Sequence, residues 1–157
     1  MIAIRKVKRA DFEVLEKLYA ELEKDAVSYQ PEHFVLSRQG ARSAQMEGIL
    51  NSDSQLMLVA QDDETVVGFA HVIFFTAKSV SCLKPQSNIY LQDLLVTERC
   101  RNKGIGTLLL DAAKAYGREK GAAFFRTEVF PMNRAGLRFY ERNGFSAKMI
   151  TIECPLE

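Results

Sequence analysis

The chain has 157 residues, 47% of them hydrophobic, and its formal net charge at pH 7 is +1. This length and apolar content predict one folded domain over residues 1–157, and the near-neutral charge argues against a general nucleic-acid or membrane-surface binder. Because the sequence contains neither a long apolar run nor a charged-then-apolar leader, we expect a cytoplasmic protein that does not cross a membrane.

The first part of the chain predicts a strand followed by two helices. Residues 2–7 alternate in polarity, as an edge strand does. Asp11 is predicted to cap a helix, and residues 25–40 to be irregular before a short helix over 41–50. The first helix has its apolar residues at helical spacing: Phe12, Leu15, Leu18, Tyr19 and Leu22.

Two strands, over residues 56–61 and 65–75, are predicted next, joined by a turn at Asp62-Asp63-Glu64. His71 lies in the second strand, where we expect a histidine that packs in the core. Residues 76–88 are polar and predict a loop.

A strand, a basic glycine turn and a helix then follow in the stretch 89–121. The strand covers 89–96, and the turn contains Arg101, Lys103, Gly104 and Gly106. The helix is predicted to end at Gly121, in a left-handed cap. Its apolar residues recur at helical spacing: Ile105, Leu108, Leu109, Ala112 and Tyr116.

The last part of the chain predicts a strand over 123–130, a helix from Asn133 to about Asn143 and a strand over 145–154. Strands 89–96 and 123–130 enclose a helix, so they should be parallel neighbours. This element order predicts an α/β fold, with helices on both faces of a mixed sheet.

The glycine turn predicts an anion site at the start of a helix. The unpaired N–H groups of a helix N-terminus attract anions, and Gly104 and Gly106 add no Cβ that would keep a phosphate away. Arg101 and Lys103 place two positive charges beside it. A loop that merely needs two glycines to turn remains the alternative. A Walker A loop is excluded by the missing Gly-Lys-Ser/Thr, and Leu109 stands where a dinucleotide fingerprint needs a third glycine.

Two segments together resemble the cofactor motifs of the GNAT superfamily of acyl-CoA-dependent N-acetyltransferases. The first is Arg101-Asn102-Lys103-Gly104-Ile105-Gly106, similar to Arg/Gln-x-x-Gly-x-Gly/Ala. The second runs from Asn133-Arg134-Ala135 to Phe139-Tyr140-Glu141-Arg142-Asn143-Gly144-Phe145, similar to Asn-x-x-Ala…Phe/Leu-Tyr-x-x-x-Gly-Phe with the alanine displaced by one position. The pair is far more specific than either part.

The resemblance implies that the chain binds acetyl-CoA as a co-substrate and transfers its acetyl group to an amine, with no metal. It implies that strands 89–96 and 123–130 separate, so that backbone of the first pairs with the pantetheine arm. It also implies a homodimer, which no stretch of sequence shows. The implied cofactor-binding residues are Leu94, Leu95, Val96, Arg101, Asn102, Lys103, Gly104, Ile105, Gly106, Thr107, Asn133 and Arg142.

Three side chains are candidates for the chemistry. Tyr140 matches the family tyrosine that approaches the CoA sulfur, so it is the candidate proton donor to the leaving thiolate. Glu128 is the first candidate base, with an ion pair to Arg126 as its structural alternative. Asp93 is the second, in a position where some family members read Glu-Asp and this chain reads Gln92-Asp93. An attack by the amine itself needs no covalent intermediate.

The acceptor stays open at this point. The resemblance implies that it is held by residues 25–40 and 76–88, which show no dense acidic patch. A small amine, an amino acid, an antibiotic amine and a peptide N-terminus all fit. Two other functions are carried as alternatives: a non-catalytic acyl-CoA-binding module on the same fold, and a nucleotide-binding protein with an atypical turn.

Overall fold

The structure is a computed structural model that describes residues 1–157 and contains a five-stranded mixed sheet. The strands are β1 (Ile2–Lys6), β2 (Gln55–Asp62), β3 (Thr65–Thr76), β4 (Ser87–Val96) and β5 (Phe124–Arg126). They lie side by side in chain order. Neighbouring strands are antiparallel except β4 and β5, which are parallel as predicted.

Four α-helices connect and cover the strands. They are α1 (Phe12–Tyr29), α2 (Ala41–Leu50), α3 (Ile105–Glu119) and α4 (Arg134–Arg142). Short 3-10 turns at Arg9–Asp11 and Glu98–Cys100 precede α1 and the glycine turn. No helix is both long enough and apolar enough to span a bilayer.

The sheet separates two hydrophobic clusters, because alternate residues of a strand point to opposite faces. Met57 and Val59 of β2 join the cluster that α1 and α2 cover. Leu58 and Ala60 of the same strand join the cluster under α3. The prediction of an α/β fold with helices on both faces is therefore confirmed.

Strands β4 and β5 separate soon after they meet. They pair only at residues 88–90 of β4 and 124–126 of β5. On its other side, β4 pairs with β3 along its length, with a bulge where Gln92 is the extra residue between Leu91 and Asp93. Beyond Tyr90, one edge of β4 therefore faces an opening, which we call the β4–β5 cleft.

Several helix details differ from the sequence prediction. Asp11 stands at the N-cap of α1 as predicted, but its carboxylate accepts hydrogen bonds from the Arg5 guanidinium and the Lys8 amide rather than from the helix. Helix α1 continues to Tyr29, so that only 30–40 of the predicted irregular stretch lies outside a helix. Leu108 is exposed, because the buried face of α3 is formed by Ile105, Leu109, Leu110, Ala113 and Gly117.

Of the two strands predicted after α3, one is shorter than predicted and the other is absent. The strand predicted over 123–130 is observed only at Phe124–Arg126, so Glu128 lies beyond it. The strand predicted over 145–154 is absent. Alternating β-forming residues occur in both segments, but a strand also needs a neighbour to hydrogen-bond, and neither segment has one there.

Candidate active site at the β4–β5 cleft

The basic glycine turn leads directly into α3. Gly104 has φ 79° at the N-cap and Asn102 has φ 62°, two left-handed conformations that reverse the chain within a few residues. The open space around Gly104 is consistent with a ligand at the first N–H groups of α3. Gly106 serves packing instead, since a Cβ there would lie 3.0 Å from Cζ of Phe139 on α4.

The two cations of the turn differ in their surroundings. Arg101 donates from Nε to the Val96 carbonyl oxygen at 2.8 Å, and its Nη2 lies 3.3 Å from Glu21 Oε1. These bonds tie the turn to the end of β4 and to α1. Lys103 is exposed, so its charge is available to a ligand at the turn.

The open edge of β4 exposes the backbone of alternate residues. The Thr97 amide donates to the carbonyl oxygen of Val67 in β3. By the alternation of an antiparallel ladder, Leu95 then faces β3, while Leu94 and Val96 face the cleft. Of the three residues predicted to pair with the cofactor through their backbone, only Leu94 and Val96 therefore have backbone groups that face the cleft. The Val96 carbonyl oxygen already accepts a hydrogen bond from Arg101.

Asp93 lies at the floor of the cleft, next to the Gln92 bulge, with its side chain 13% exposed. The Tyr19 hydroxyl of α1 donates to Asp93 Oδ2 at 3.3 Å. Burial and the charge of Asp93 raise the pKa of Tyr19, so this hydroxyl keeps its proton. Asp93 is thus a largely buried carboxylate that Tyr19 holds in place.

His71 lies beneath Asp93 and is 2% exposed. Its Nε2 is 2.8 Å from Gln55 Oε1, and its Nδ1 lies 3.6 Å from Asp93 Oδ2 with no other partner. The Gln55 Oε1 atom can only accept, so Nε2 is the donor of this pair. His71 is a core residue, as predicted, but it also contacts the site.

Tyr140 extends from α4 toward the same place. Its ring packs between Phe139 and Phe145, with ring centroids 5.2 and 5.3 Å away. Burial, with a further contribution from the charge of Asp93, raises the pKa of Tyr140 to about 12, and the Thr127 hydroxyl opposes that shift. The Thr127 hydroxyl itself donates to the Leu91 carbonyl across the cleft, at 3.0 Å.

Glu128 lies on the outer rim of the cleft and is exposed. The Tyr90 hydroxyl of β4 donates to Glu128 Oε1 at 2.8 Å. Burial and this carboxylate raise the pKa of Tyr90. The alternative that the sequence left open, an ion pair between Glu128 and Arg126, does not form in the structure.

The remaining predicted cofactor residues lie on α3 and α4. Thr107 is half-buried in the first turn of α3. Asn133 caps α4 as predicted, because its Oδ1 accepts from the Gly136 amide at 2.9 Å. Arg134, Arg138 and Arg142 are all exposed along α4, and nothing in their surroundings selects Arg142 from the three.

The segment between α1 and α2 forms the other wall. Phe130 packs on Tyr29 and Phe34, with centroids 5.5 and 5.6 Å apart. Glu23 anchors the segment through the Ser37 amide at 2.7 Å and the Arg42 Nε at 2.7 Å. An aromatic surface therefore joins this segment to Phe130, two residues after Glu128.

One group of side chains has the composition of a metal site. Glu32, His33 and Glu153 bring one ligand atom each within 4.8 Å of one another, all on exposed residues. His33 Nε2 lies 2.8 Å from Glu153 Oε2, and this carboxylate raises the pKa of His33. Hydrogen bonding and charge between these two side chains account for the cluster.

The sequence analysis missed two residues of the site, Tyr19 and Tyr90. Tyr19 was counted only as part of the apolar stripe of α1, and Tyr90 only as part of a strand. Their signal was a hydroxyl in an otherwise apolar pattern, since a buried tyrosine usually finds a hydrogen-bond partner. The partners, Asp93 and Glu128, could not be read from the sequence, because they lie 74 and 38 residues away.

Comparisons with known proteins agree with this fold. The family model described as the acetyltransferase (GNAT) family matches residues 14–145. The N-acetyltransferase YhfO of Bacillus subtilis is 34% identical over 108 residues, 68% of each chain. Streptothricin acetyltransferase of Streptomyces lavendulae is 29% identical over 96 residues, which are 61% of this chain and 47% of that protein. The crystal structure of a mutant of the BH1408 protein from Bacillus halodurans superposes with a TM-score of 0.93, at 21% identity and 99% coverage of both chains.

The chain therefore belongs to the acetyltransferase (GNAT) family. It is an acyl-CoA-dependent N-acyltransferase, and the resemblance carried by the two sequence motifs is confirmed.

Proposed function

We propose that the protein transfers the acetyl group of acetyl-CoA to a primary amine by direct attack in the β4–β5 cleft. The observation that carries this proposal is the position of Asp93. This carboxylate lies where β4 leaves β5, and its charge acts on the hydroxyl of Tyr140. A proton acceptor and a proton donor therefore share one cleft, which opens toward the glycine turn.

Acetyl-CoA would lie along the open edge of β4. Its pyrophosphate would bind the N–H groups at the start of α3, in the turn Arg101–Gly106 and near Ile105 and Thr107, with Lys103 adding charge. Its pantetheine arm would pair with the backbone of Leu94 and Val96. The Val96 carbonyl would stay with Arg101, so Leu94 would supply the acceptor oxygen. Asn133 would act indirectly, by capping α4, and Arg142 or Arg138 on the exposed side of α4 would bind the 3′-phosphate of CoA.

We assign the base to Asp93 and a positioning role to Glu128. The acceptor amine arrives largely protonated, since the pKa of an alkyl amine is ~10.4 and that of an α-amine ~7.8. Asp93 is shielded from solvent and held by Tyr19, with His71 beneath it. It would remove the proton directly or through one water. Glu128 is exposed and bonded to Tyr90, which suits a group that attracts the ammonium form of the acceptor.

Tyr140 would protonate the thiolate that leaves. Attack by the amine nitrogen forms the C–N bond and a tetrahedral oxyanion; its collapse breaks the C–S bond and releases CoA sulfur as a thiolate. With a pKa raised to about 12, the Tyr140 hydroxyl holds its proton at neutral pH, so it can donate a hydrogen bond to the sulfur while the C–S bond breaks.

The acceptor we propose is a cationic amine that carries a ring or an apolar group. Two carboxylates, Asp93 and Glu128, face a cleft whose other wall contains the aromatic group Tyr29, Phe34 and Phe130. An antibiotic amine fits this wall, and the similarity to streptothricin acetyltransferase supports that class. We also propose that the protein acts in the cytoplasm.

The test is release of CoA thiol over a panel of amines. The panel contains streptothricin, aminoglycosides, polyamines, amino acids and peptides with a free N-terminus, each with acetyl-CoA. We expect turnover with a cationic ring-bearing amine, and loss of the acceptor preference in Glu128→Gln. Binding of acetyl-CoA without turnover over the whole panel would instead favour the non-catalytic acyl-CoA module.

A further inference from the structure

His71 is buried beneath the site with one ring nitrogen unpaired. Its side chain is 2% exposed, and its Nε2 donates to Oε1 of Gln55 at 2.8 Å. The other ring nitrogen, Nδ1, has no hydrogen-bond partner. A neutral imidazole carries one N–H proton, so when Nε2 holds it, Nδ1 presents a lone pair. Buried polar atoms without a partner are rare in folded proteins, and this one needs a physical reason.

The group that Nδ1 faces is the carboxylate of Asp93. Asp93 Oδ2 lies 3.6 Å from Nδ1, and the Asp93 side chain is 13% exposed. No lysine or arginine forms an ion pair with this carboxylate. Two buried acceptor atoms thus face each other with no proton between them. One added proton would turn this contact into a charge-assisted hydrogen bond.

Strand pairing holds the two groups next to each other. His71 of β3 lies opposite Asp93 of β4, beside the bulge at Gln92. On the other side of His71, β2 places Met57 opposite it and Gln55 two residues earlier on the same face. Three side chains therefore form a row across β2, β3 and β4, which we call the proton row: Gln55, His71 and Asp93.

The other titratable and charged groups around the proton row do not compete for an added proton. Three tyrosines have pKa values raised chiefly by burial, with a contribution from the charge of Asp93, so their hydroxyls keep their own protons: Tyr19, Tyr90 and Tyr140. Arg42 of α2 lies over the Tyr19 ring, 4.2 Å from its centroid, and is paired with Glu23. Nδ1 of His71 is therefore the acceptor available to a proton that reaches Asp93.

We propose that His71 takes over the proton that Asp93 removes from the acceptor amine. This inference rests on the proposed role of Asp93 as the base. In the first step an N–H bond of the ammonium group breaks, its electron pair stays on nitrogen, and the proton goes to Asp93. The proton then passes to Nδ1 of His71, which becomes an imidazolium bonded to the Asp93 carboxylate. The contact shortens as this bond forms, as catalytic hydrogen bonds often do when an enzyme is loaded.

A second proton acceptor matters because a protonated amine must lose two protons to become an amide. The first proton leaves before attack, and the second leaves the same nitrogen after the C–N bond has formed. One carboxylate can hold only one of them. With the first proton on His71, Asp93 can take the second and return it to Tyr140, which has given its own proton to sulfur. After the amide and CoA leave, the His71 proton passes through Asp93 to water, so one proton is released per turnover.

The pH dependence of kcat in His71→Asn tests this relay. Asparagine places an amide near the position of Nδ1, where it can donate to Asp93 but cannot take a proton. We expect kcat to fall by about tenfold or more, with little change in KM for the amine. The acid limb of kcat should also move to lower pH. The parent loses activity once the His71–Asp93 pair already holds its extra proton, whereas a lone carboxylate stays free to lower pH.

Val59→Ala is the matched control for lost core packing. Val59 is fully buried in β2 and belongs to the cluster under α1 and α2. Its variant should have a lower thermal midpoint than the parent but the same acid limb of kcat. Circular dichroism and titration with acetyl-CoA check that both variants fold and bind the cofactor. An acid limb that stays in place in His71→Asn, even with a lower kcat, would make His71 a packing residue and overturn the inference.

Nitrogen-15 NMR of the histidine rings tests the proton positions without any acceptor amine. The chain has two histidines, so His33→Gln identifies the signals of His71. In weakly alkaline buffer we expect a neutral His71 ring with its proton on Nε2, and in acid a second proton on Nδ1. A neutral ring with its proton on Nδ1 would overturn the inference. So would an imidazolium that persists in weakly alkaline buffer, because neither form can take a proton from Asp93.

Asp93→Asn separates failure of this inference from failure of the proposed base. If Asp93→Asn loses turnover while His71→Asn keeps the kcat and the acid limb of the parent, Asp93 acts alone and only the relay is rejected. If Asp93→Asn itself keeps the kcat of the parent, the proposed base is wrong and the relay is rejected with it.

Discussion

At the scale of single residues, the site depends on how hydroxyl groups surround one carboxylate. Asp93 accepts a hydrogen bond from the Tyr19 hydroxyl and lies beside His71. Its charge contributes to raising the pKa of Tyr90 and of Tyr140. Its geometry is fixed by α1 on one side and by the Gln92 bulge on the other. A carboxylate in such surroundings can accept a proton without first changing its position.

Asp93→Asn should lower kcat by about 10²-fold or more, because an amide cannot take the proton of the amine. The Tyr19 hydroxyl can still donate to the amide oxygen, so we expect the affinity for acetyl-CoA to change by less than about twofold. Steady-state kinetics and calorimetric titration with acetyl-CoA measure the two effects.

The matched control is Asp111→Asn, on the exposed face of α3, which should leave both quantities unchanged. Glu128→Gln should raise KM for the amine with little effect on kcat. If Glu128→Gln abolishes turnover while Asp93→Asn keeps it, the two roles assigned above are reversed.

At the scale of elements, the glycine turn is coupled to the packing of α3 on α4. Gly106 touches Phe139, the residue beside Tyr140. The position of the cofactor turn and that of the proton donor therefore depend on one contact between two helices.

Gly106→Ala should lower the free energy of unfolding by about 1–2 kcal/mol, since its Cβ would meet the Phe139 ring at 3.0 Å and force it aside. Gly48→Ala in α2 is the control. Its Cβ has nothing within 4 Å, so better helix propensity should stabilise the chain by about 0.5–1 kcal/mol. Urea unfolding measures both, and equal stability of the two variants would show that the α3–α4 contact is loose.

The sequence predicted what neighbouring residues decide and missed what distant residues decide. The order of strand, turn and helix around Gly104 follows from local conformational preference, and so does the cap at Asn133. The bulge at Gln92 depends on the pairing of β4 with β3. The exposure of Leu108 depends on which face of α3 packs against the sheet. The 145–154 segment has the right residues for a strand but no partner within the chain.

At the scale of the whole molecule, tyrosine ionisation should limit stability in alkali. Burial is the main cause that raises the pKa of Tyr19, Tyr116 and Tyr140, and of Tyr90 beside Glu128. In the unfolded chain these groups lose their proton near pH ~10. Above that pH the unfolded state binds fewer protons than the folded state, so the free energy of unfolding falls as pH rises.

A pH titration that follows tyrosinate absorbance and circular dichroism together tests whether tyrosine ionisation and unfolding coincide. Four of the five tyrosines should stay protonated above pH ~10 and ionise only as the chain unfolds. Titration of all five near pH ~10 in a chain that is still folded would contradict the burial described for these rings.

The central claim is that the acetyl group moves in the β4–β5 cleft with Tyr140 as proton donor, and Tyr140→Phe tests it most directly. We predict that kcat with acetyl-CoA and the best amine falls by about 10²-fold while acetyl-CoA binds as before, since the ring packing is kept and only the hydroxyl is lost. Tyr116→Phe, a tyrosine of α3 outside the cleft, should leave both unchanged. A Tyr140→Phe enzyme with the kcat of the parent would contradict the account and remove Tyr140 from the mechanism.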